Sequence, residues 1–258
     1  NPGDAKSHLN LGNAYTQQGQ LTHAIYEYNL SLELDPNIVD AYKNLANAYC
    51  KLEMFGRALA QLRQAVILEP ENPPKADLYS QLGDVYSQMG NYEKAIFQYK
   101  KALKMKPDLA QAYHGLAVCY NKLGLVDDEI QAYKKALAIE PDMLAALMNL
   151  GNVYFAKRQF GAAIEQYEKA ARIRPDDSTI YYNLGAAYSN NGDYKQAVAE
   201  YKKAVEIEPK MGDAHNGLAI SFYKLEEYDL AAKHITIAEE LGAEIDENLL
   251  AAIEDELR

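Results

Sequence analysis

Apolar residues recur along this chain at spacings of three and four, with small residues set among them at fixed places. The stretches LNLGNAY, KNLANAY, SQLGDVY, HGLAVCY, MNLGNVY, YNLGAAY and NGLAISF fall in one column when segments begin at Ala5, Val39, Ala76, Ala110, Leu144, Ser178 and Gly212. Numbering each segment from 1, its first half carries a large residue at 4, Leu at 7, Gly or Ala at 8 and Tyr or Phe at 11. On an α-helix these positions form a single stripe. The second half has a small residue at 20, a large one at 24, Ala or Ser at 27 and an aliphatic residue at 30. Gly19, Gly90, Gly124 and Gly192 all stand at position 15, between the halves, where a permissive backbone suits a helix end. The pattern predicts two antiparallel helices per segment, the large residues of one helix facing the small ones of the next.

Proline marks the same period. Pro2, Pro36, Pro70, Pro107, Pro141, Pro175 and Pro209 are separated by 34 residues, except for one step of 37. A fixed period of this size belongs to a stacked array, in which no unit buries its apolar face alone. Pro2 then matches the closing position of a preceding unit, and the chain reads as a piece of a longer array.

The period and the residues at 4, 7, 8, 11, 20, 24, 27 and 32 resemble the tetratricopeptide repeat; in the sixth segment they are Tyr181, Leu184, Gly185, Tyr188, Ala197, Tyr201, Ala204 and Pro209. The resemblance implies an all-α fold, a right-handed superhelical solenoid of stacked antiparallel helix pairs. Seven repeats are expected, at 5–38, 39–72, 76–109, 110–143, 144–177, 178–211 and 212–245, after a remnant at 1–4. Three departures change the picture. Glu129 occupies the small position 20, so that helix pair opens or the carboxylate finds a partner. EPENPPKA is three residues longer than its equivalents, and because Pro73 and Pro74 cannot continue a helix a protruding loop is expected there. The seventh repeat is the most degenerate, and residues 246–258 follow it with Asp246 as an N-cap and Leu249, Leu250, Ile253 and Leu257 on one face, a C-terminal capping helix.

The net charge of −11 is concentrated: residues 225–258 hold eleven acidic side chains against Lys233 and Arg258, a wet face for the end of the array. Without clustered Lys and Arg, duplex nucleic acid is not an expected partner. No apolar run approaches the roughly 18 residues of a membrane span. Cys50 and Cys119 lie 69 residues apart, which fits neither a disulfide framework nor a zinc site and allows a cytoplasmic or a periplasmic location.

Candidate chemistry adds little. Most of the 21 tyrosines fall at positions 4, 11, 17 and 24 and read as packing residues. His8 and His215 occupy position 4, while His23, His114 and His234 form no pair at ligand spacing. There is no nucleophile motif, phosphate loop or acidic metal cluster, so neither an enzyme nor a cofactor is expected.

Function is therefore sought on the face that packing ignores. At about 100° per residue, positions 2, 5, 6, 9, 12 and 13 lie opposite the core stripe. The resemblance implies that this face lines a concave groove in which extended or helical peptides lie. Asparagine is over-represented on it: Asn10, Asn44, Asn149 and Asn183 at position 6, and Asn13, Asn47 and Asn152 at position 9. Asparagine costs a helix up to about 0.7 kcal/mol relative to alanine, so something other than helix stability placed it. A column of carboxamides can grip a peptide backbone whatever its side chains. The column resembles the asparagine ladder in the tetratricopeptide arm of O-linked N-acetylglucosamine transferases. Inheritance from a duplicated unit is the competing explanation, and Gly115 and Gly217 interrupt the ladder. A carboxylate clamp of the chaperone-binding kind is partly matched by Lys43 and Asn47, but Gln81 is a weak substitute, and Gln111 and Gly115 stand where cations are needed. In repeats five to seven Met148, Phe155, Tyr182 and Tyr223 suggest an apolar half-groove with exposed anchors. The expectation is a non-enzymatic scaffold that binds a protein or peptide segment. The alternatives are the substrate-recognition arm of a larger enzyme, such as a glycosyltransferase, and a self-assembling scaffold that associates through an uncapped N-terminal end.

Overall fold

The computed structural model describes residues 3–69 and 73–256, without the side chains of Pro73 and Pro74. Every regular element among them is helical. The residues divide into two compact units, Asn1–Ile139 and Glu140–Arg258. The first contains α1 (Ala5–Gln17), α2 (Leu21–Leu34), α3 (Val39–Lys51), α4 (Phe55–Leu68), α5 (Pro73–Gln88), α6 (Tyr92–Met105), α7 (Ala110–Lys122) and α8 (Val126–Ile139). The second contains α9 (Leu144–Ala156), α10 (Phe160–Ile173), α11 (Ser178–Asn191), α12 (Tyr194–Ile207), α13 (Gly212–Lys224), α14 (Tyr228–Glu240) and α15 (Glu247–Glu256). Within each unit an odd helix packs on the even helix after it, and that pair packs on the next. Odd helices of neighbouring pairs also touch, as α1 with α3, α5 with α7 and α11 with α13. Each unit is thus an all-α stack of helix pairs.

Local sequence sets the helix ends. Position 15 takes a left-handed backbone in each of the expected repeats: Gly19, Gly90, Gly124 and Gly192 at φ 71–90°, and also Glu53 (57°), Arg158 (58°) and Glu226 (63°). The residue before each repeat's proline is forced out of the helical region. Asp35, Lys106, Arg174 and Glu208 accordingly end α2, α6, α10 and α12 outside the helical region, at φ from −144° to −129°.

Packing follows the large and small columns. The alanines at position 20 and the Ala or Ser at 27 are sealed off completely from solvent. In four repeats the tyrosine at position 24 lies against a glycine at position 8: a Cβ on Gly12, Gly83, Gly151 or Gly185 would meet the ring of Tyr28, Tyr99, Tyr167 or Tyr201 at 2.5–2.7 Å, closer than any real contact. Each of these tyrosines is at most 4 % exposed, so the interlock buries a whole aromatic ring within the pair.

Glu129 finds a partner rather than opening its helix pair. Its carboxylate is 2 % exposed and accepts a 3.0 Å hydrogen bond from Asn121 Nδ2, while burial raises its pKa. Of the loop expected before the third repeat, residues 70–72 lie outside the described residues. Pro73 and Pro74 begin α5 three residues ahead of Ala76, because proline is tolerated in a first helical turn, where the N–H has no helical partner to lose. Pro2, Pro70 and Leu257 lie outside the described residues. At the other end Asp246 Oδ1 accepts from Asn248 N at 2.9 Å, and α15 lays Leu249, Leu250 and Ile253 on a core built from α12, α13 and α14.

Candidate functional site

In the first unit the positions expected to face away from the core border two adjoining clefts. One, of about 340 Å3, is lined by Asn13, Thr16, Gln17, Asn44 and Asn47 from α1 and α3, with Tyr28 at its base. The other, of about 320 Å3, shares Asn47 and continues over Cys50, Gln81, Asp84, Ser87, Gln88, His114, Gly115 and Val118. Apart from Tyr28, Leu62, Val85 and Tyr99, every lining residue stands at position 5, 6, 9, 12 or 13 of its repeat. Asn10 is exposed and lines neither cleft.

The asparagines are not equivalent, because the tyrosines of the core reach them. Tyr28 Oη donates to Asn13 Oδ1 at 2.9 Å and lies 2.9 Å from Thr16 Oγ1, and Asn44 Nδ2 donates to the same Asn13 oxygen at 2.7 Å. In the third repeat Tyr99 Oη donates to Asp84 Oδ1 at 2.7 Å, and in the fifth Tyr167 Oη donates to Asn152 Oδ1 at 2.7 Å. A polar residue at position 9 thus satisfies a phenol that the packed helix pair would otherwise leave unpaired. Burial holds the phenols of Tyr28, Tyr99 and Tyr167 above their ordinary pKa, so they remain donors. In the second repeat Leu62 replaces the tyrosine, and exposed Asn47 has no partner among the described residues. Both bonds use the Asn13 oxygen and leave its Nδ2 without a hydrogen-bond partner among the described residues. These pairings were missed in the sequence, although their signal, a tyrosine fifteen residues after a polar position 9, recurs three times.

Gly115 and Gly217 interrupt the column for a packing reason. A Cβ on either would overlap the ring of Tyr99 or Tyr201 from the preceding repeat. Lys43, one of the two matches to a carboxylate clamp, is engaged by Asp40 at 3.2 Å.

In the second unit Asn183 is half-buried without a hydrogen-bond partner among the described residues, while Asn149 is half-buried and engaged, and Asn152 serves Tyr167. The apolar half-groove needs correction. Met148, Phe155, Tyr182 and Tyr223 are half-buried rather than exposed, and each ring rests on a ring of the fold: Phe155 on Phe160 (5.5 Å), Tyr182 on Tyr201 (5.9 Å), Tyr223 on Tyr228 (5.7 Å).

Two histidines, one on α13 and one on α14, meet in the structure. His215 and His234 stack at 5.2 Å with their Nδ1 atoms 3.0 Å apart, and His234 stacks on Phe222 at 5.6 Å. Pro209 O, 3.2 Å from His215 Nε2, can only accept, so Nε2 carries the hydrogen and the bare Nδ1 accepts from His234 Nδ1–H. Among the described residues no group of three or more His, Cys, Asp or Glu side chains could hold a metal ion, and no helix is long and apolar enough to cross a membrane.

Comparison with known proteins meets this geometry. Models of the tetratricopeptide repeat match residues 37–108, 80–143 and 178–211, and a model described as TPR repeat matches 12–53 and 151–192. Among solved structures the chain is similar to MamA, at 28 % identity over 62 % of this chain and 93 % of that one, with a TM-score of 0.58. It also shares its fold with pilF of Pseudomonas aeruginosa (16 % identity, 81 % and 94 % coverage, TM-score 0.68). A third match is a chain of the APC/C hetero-tetramer Cut9-Hcn1 (18 %, 86 % and 43 %, 0.66). No curated protein matches the chain in sequence. Repeat period, interlocked tyrosine and glycine columns, and matched models agree: the chain belongs to the tetratricopeptide repeat family.

Proposed function

We propose that this protein is a non-enzymatic scaffold that holds a peptide segment of a protein partner along the faces of its odd helices. The observation that carries the reading is the pair of adjoining clefts that share Asn47, lined mainly by polar side chains, of which Asn47 itself makes no bond to the fold. A carboxamide offers two donors and an acceptor, which match the N–H and C=O groups of an extended backbone. Each such bond is worth about 0.5–1.5 kcal/mol net, so affinity comes from several in register. Because Asn13 and Asn152 spend their acceptors on tyrosines, the grip falls to Asn10, Asn44, Asn47, Asn149 and Asn183 and to the Nδ2 of Asn13 and Asn152. Met148 and Tyr182 add apolar area beside Asn149 and Asn183. The family as a whole binds protein partners, and Cut9-Hcn1 is a complex of this fold with another protein. The mode of binding resembles the asparagine ladder in the tetratricopeptide arm of O-linked N-acetylglucosamine transferases.

The test is selection of a random 12-residue peptide library on the protein, followed by fluorescence anisotropy of a selected peptide with Asn47→Ala and Asn183→Ala. Neither side chain has an internal partner, so weaker binding at an unchanged melting temperature supports the reading. Unchanged affinity in the double variant refutes it.

A further inference from the structure

The second cleft contains a charge that the fold does not need. Tyr99 requires an acceptor at position 9, and in the first and fifth repeats asparagine provides one for Tyr28 and Tyr167 at the same spacing and nearly the same distance. In the third repeat the acceptor is Asp84, which makes the same bond and adds a full negative charge. Asp84 is open to solvent through the cleft mouth, yet the walls crowd it closely enough that desolvation raises its pKa against the opposing effect of the Tyr99 bond. Tyr99 is its one hydrogen-bond partner among the described residues, and no Lys or Arg lines the cleft.

Two further acceptors accompany it. Gln81, one turn before Asp84 on α5, lines the same cleft and has its Oε1 buried without a hydrogen-bond partner. Asn47, on the opposite wall, is left unpartnered by Leu62. Gly115 and Tyr99 also line it, and the space of about 320 Å3 exceeds the volume of one long side chain.

We infer that this cleft is a subsite for a cationic side chain, lysine or arginine, of the bound peptide, recognised by Asp84 and Gln81 with Asn47. The inference rests on the peptide-binding reading above and names the chemistry of its partner. An ammonium or guanidinium offers several donors and no acceptor, which matches three acceptors that include one carboxylate. It would supply the countercharge that Asp84 lacks and satisfy the Gln81 oxygen.

The test compares the full chain with its Asp84→Asn variant, which keeps an acceptor for Tyr99 and reproduces the arrangement of the first and fifth repeats. Both are panned against one random 12-residue peptide library, and a selected peptide is remade with acetyl-lysine, or citrulline for arginine, at the enriched position. The wild type is expected to enrich Lys or Arg at a single register, and neutralising that residue should weaken binding about tenfold. Asp84→Asn should still select peptides but without the cation, and should bind the charged and neutralised forms alike. Enrichment of peptides with no fixed cation, or equal affinity of the wild type for both forms, overturns the inference and leaves the groove standing. Selection of no peptide by either protein overturns the groove reading and the inference with it.

Discussion

The ring of Tyr99, on α6, closes over Gly115 on α7 across a repeat boundary and leaves no room for a Cβ between them. The same relation joins Tyr201 to Gly217 in the second unit. Alanine at an open helical position should stabilise by up to about 1 kcal/mol, because glycine pays more backbone entropy. At Gly115 and Gly217 the sign should reverse, with Gly→Ala costing about 1–3 kcal/mol through overpacking. Gly161, which has nothing within 4 Å of a Cβ, is the internal control. Chemical denaturation of Gly115→Ala, Gly217→Ala and Gly161→Ala should give losses for the first two and a small gain for the third.

The tyrosine at position 24 makes the polar residue at position 9 part of the core. Asn152→Ala should strand the buried Tyr167 hydroxyl and cost about 1–3 kcal/mol. Adding Tyr167→Phe should recover most of that loss, since both partners are then apolar. Asn183→Ala, which breaks no internal bond, should change stability by less than about 0.5 kcal/mol. A thermal melt of the wild type, Asn152→Ala, Tyr167→Phe, their double variant and Asn183→Ala checks the pattern; additive losses in the Asn152 and Tyr167 pair would contradict it.

Three non-glycine residues hold the left-handed turn between paired helices. Glu53→Gly and Arg158→Gly should each relieve backbone strain and stabilise by about 1 kcal/mol, seen as a higher melting temperature. Gly124→Ala, at the same position with φ 71°, should do the opposite.

The histidine pair ties the last repeat to pH. Burial first, and then the nearby His215, Lys233 and Lys202, lower the pKa of His234 from 6.5 to about 4. Above pH 6.5 the ring is neutral whether the chain is folded or not, and it imposes no cost. As pH falls from 6.5 towards 4 the unfolded ensemble takes up a proton that the folded state resists, so stability declines across that window. His234→Gln keeps a donor towards His215 and cannot titrate. Its melting temperature should fall less than that of the wild type between pH 7 and pH 4.5, whereas parallel profiles would contradict the assignment.

Periodicity made much of this legible. The stripes at 4, 7, 8 and 11 and at 20, 24 and 27 give the helix pairs, and the positions opposite them line the clefts. What was lost lies between columns. Tyr99 meets Gly115 sixteen residues on, Tyr28 meets Asn13 fifteen back, and position 4 meets position 23 both as His215 with His234 and as His8 with Glu27 at 2.6 Å. Reading each column separately made Gly115 an interruption of the ladder and Asn13 a purely ligand-facing residue. The exposed half-groove failed for a related reason: Phe160 and Tyr228, which cover Phe155 and Tyr223, lie on the second helices of their repeats and outside the face considered. Asp84 was visible as the one carboxylate in an asparagine-rich column, but its meaning depends on the tyrosine behind it.

The central claim is that a partner peptide lies on the faces of the odd helices. A photo-crosslinking residue, benzoylphenylalanine, placed at Gln17 or Gln88 borders the two clefts, and at Tyr26 or Phe97 it sits at exposed sites on α2 and α6. With a selected peptide bound, the account predicts covalent capture from Gln17 and Gln88 and none from Tyr26 or Phe97. Capture from Tyr26 or Phe97 alone would place the partner on the other helices and contradict it.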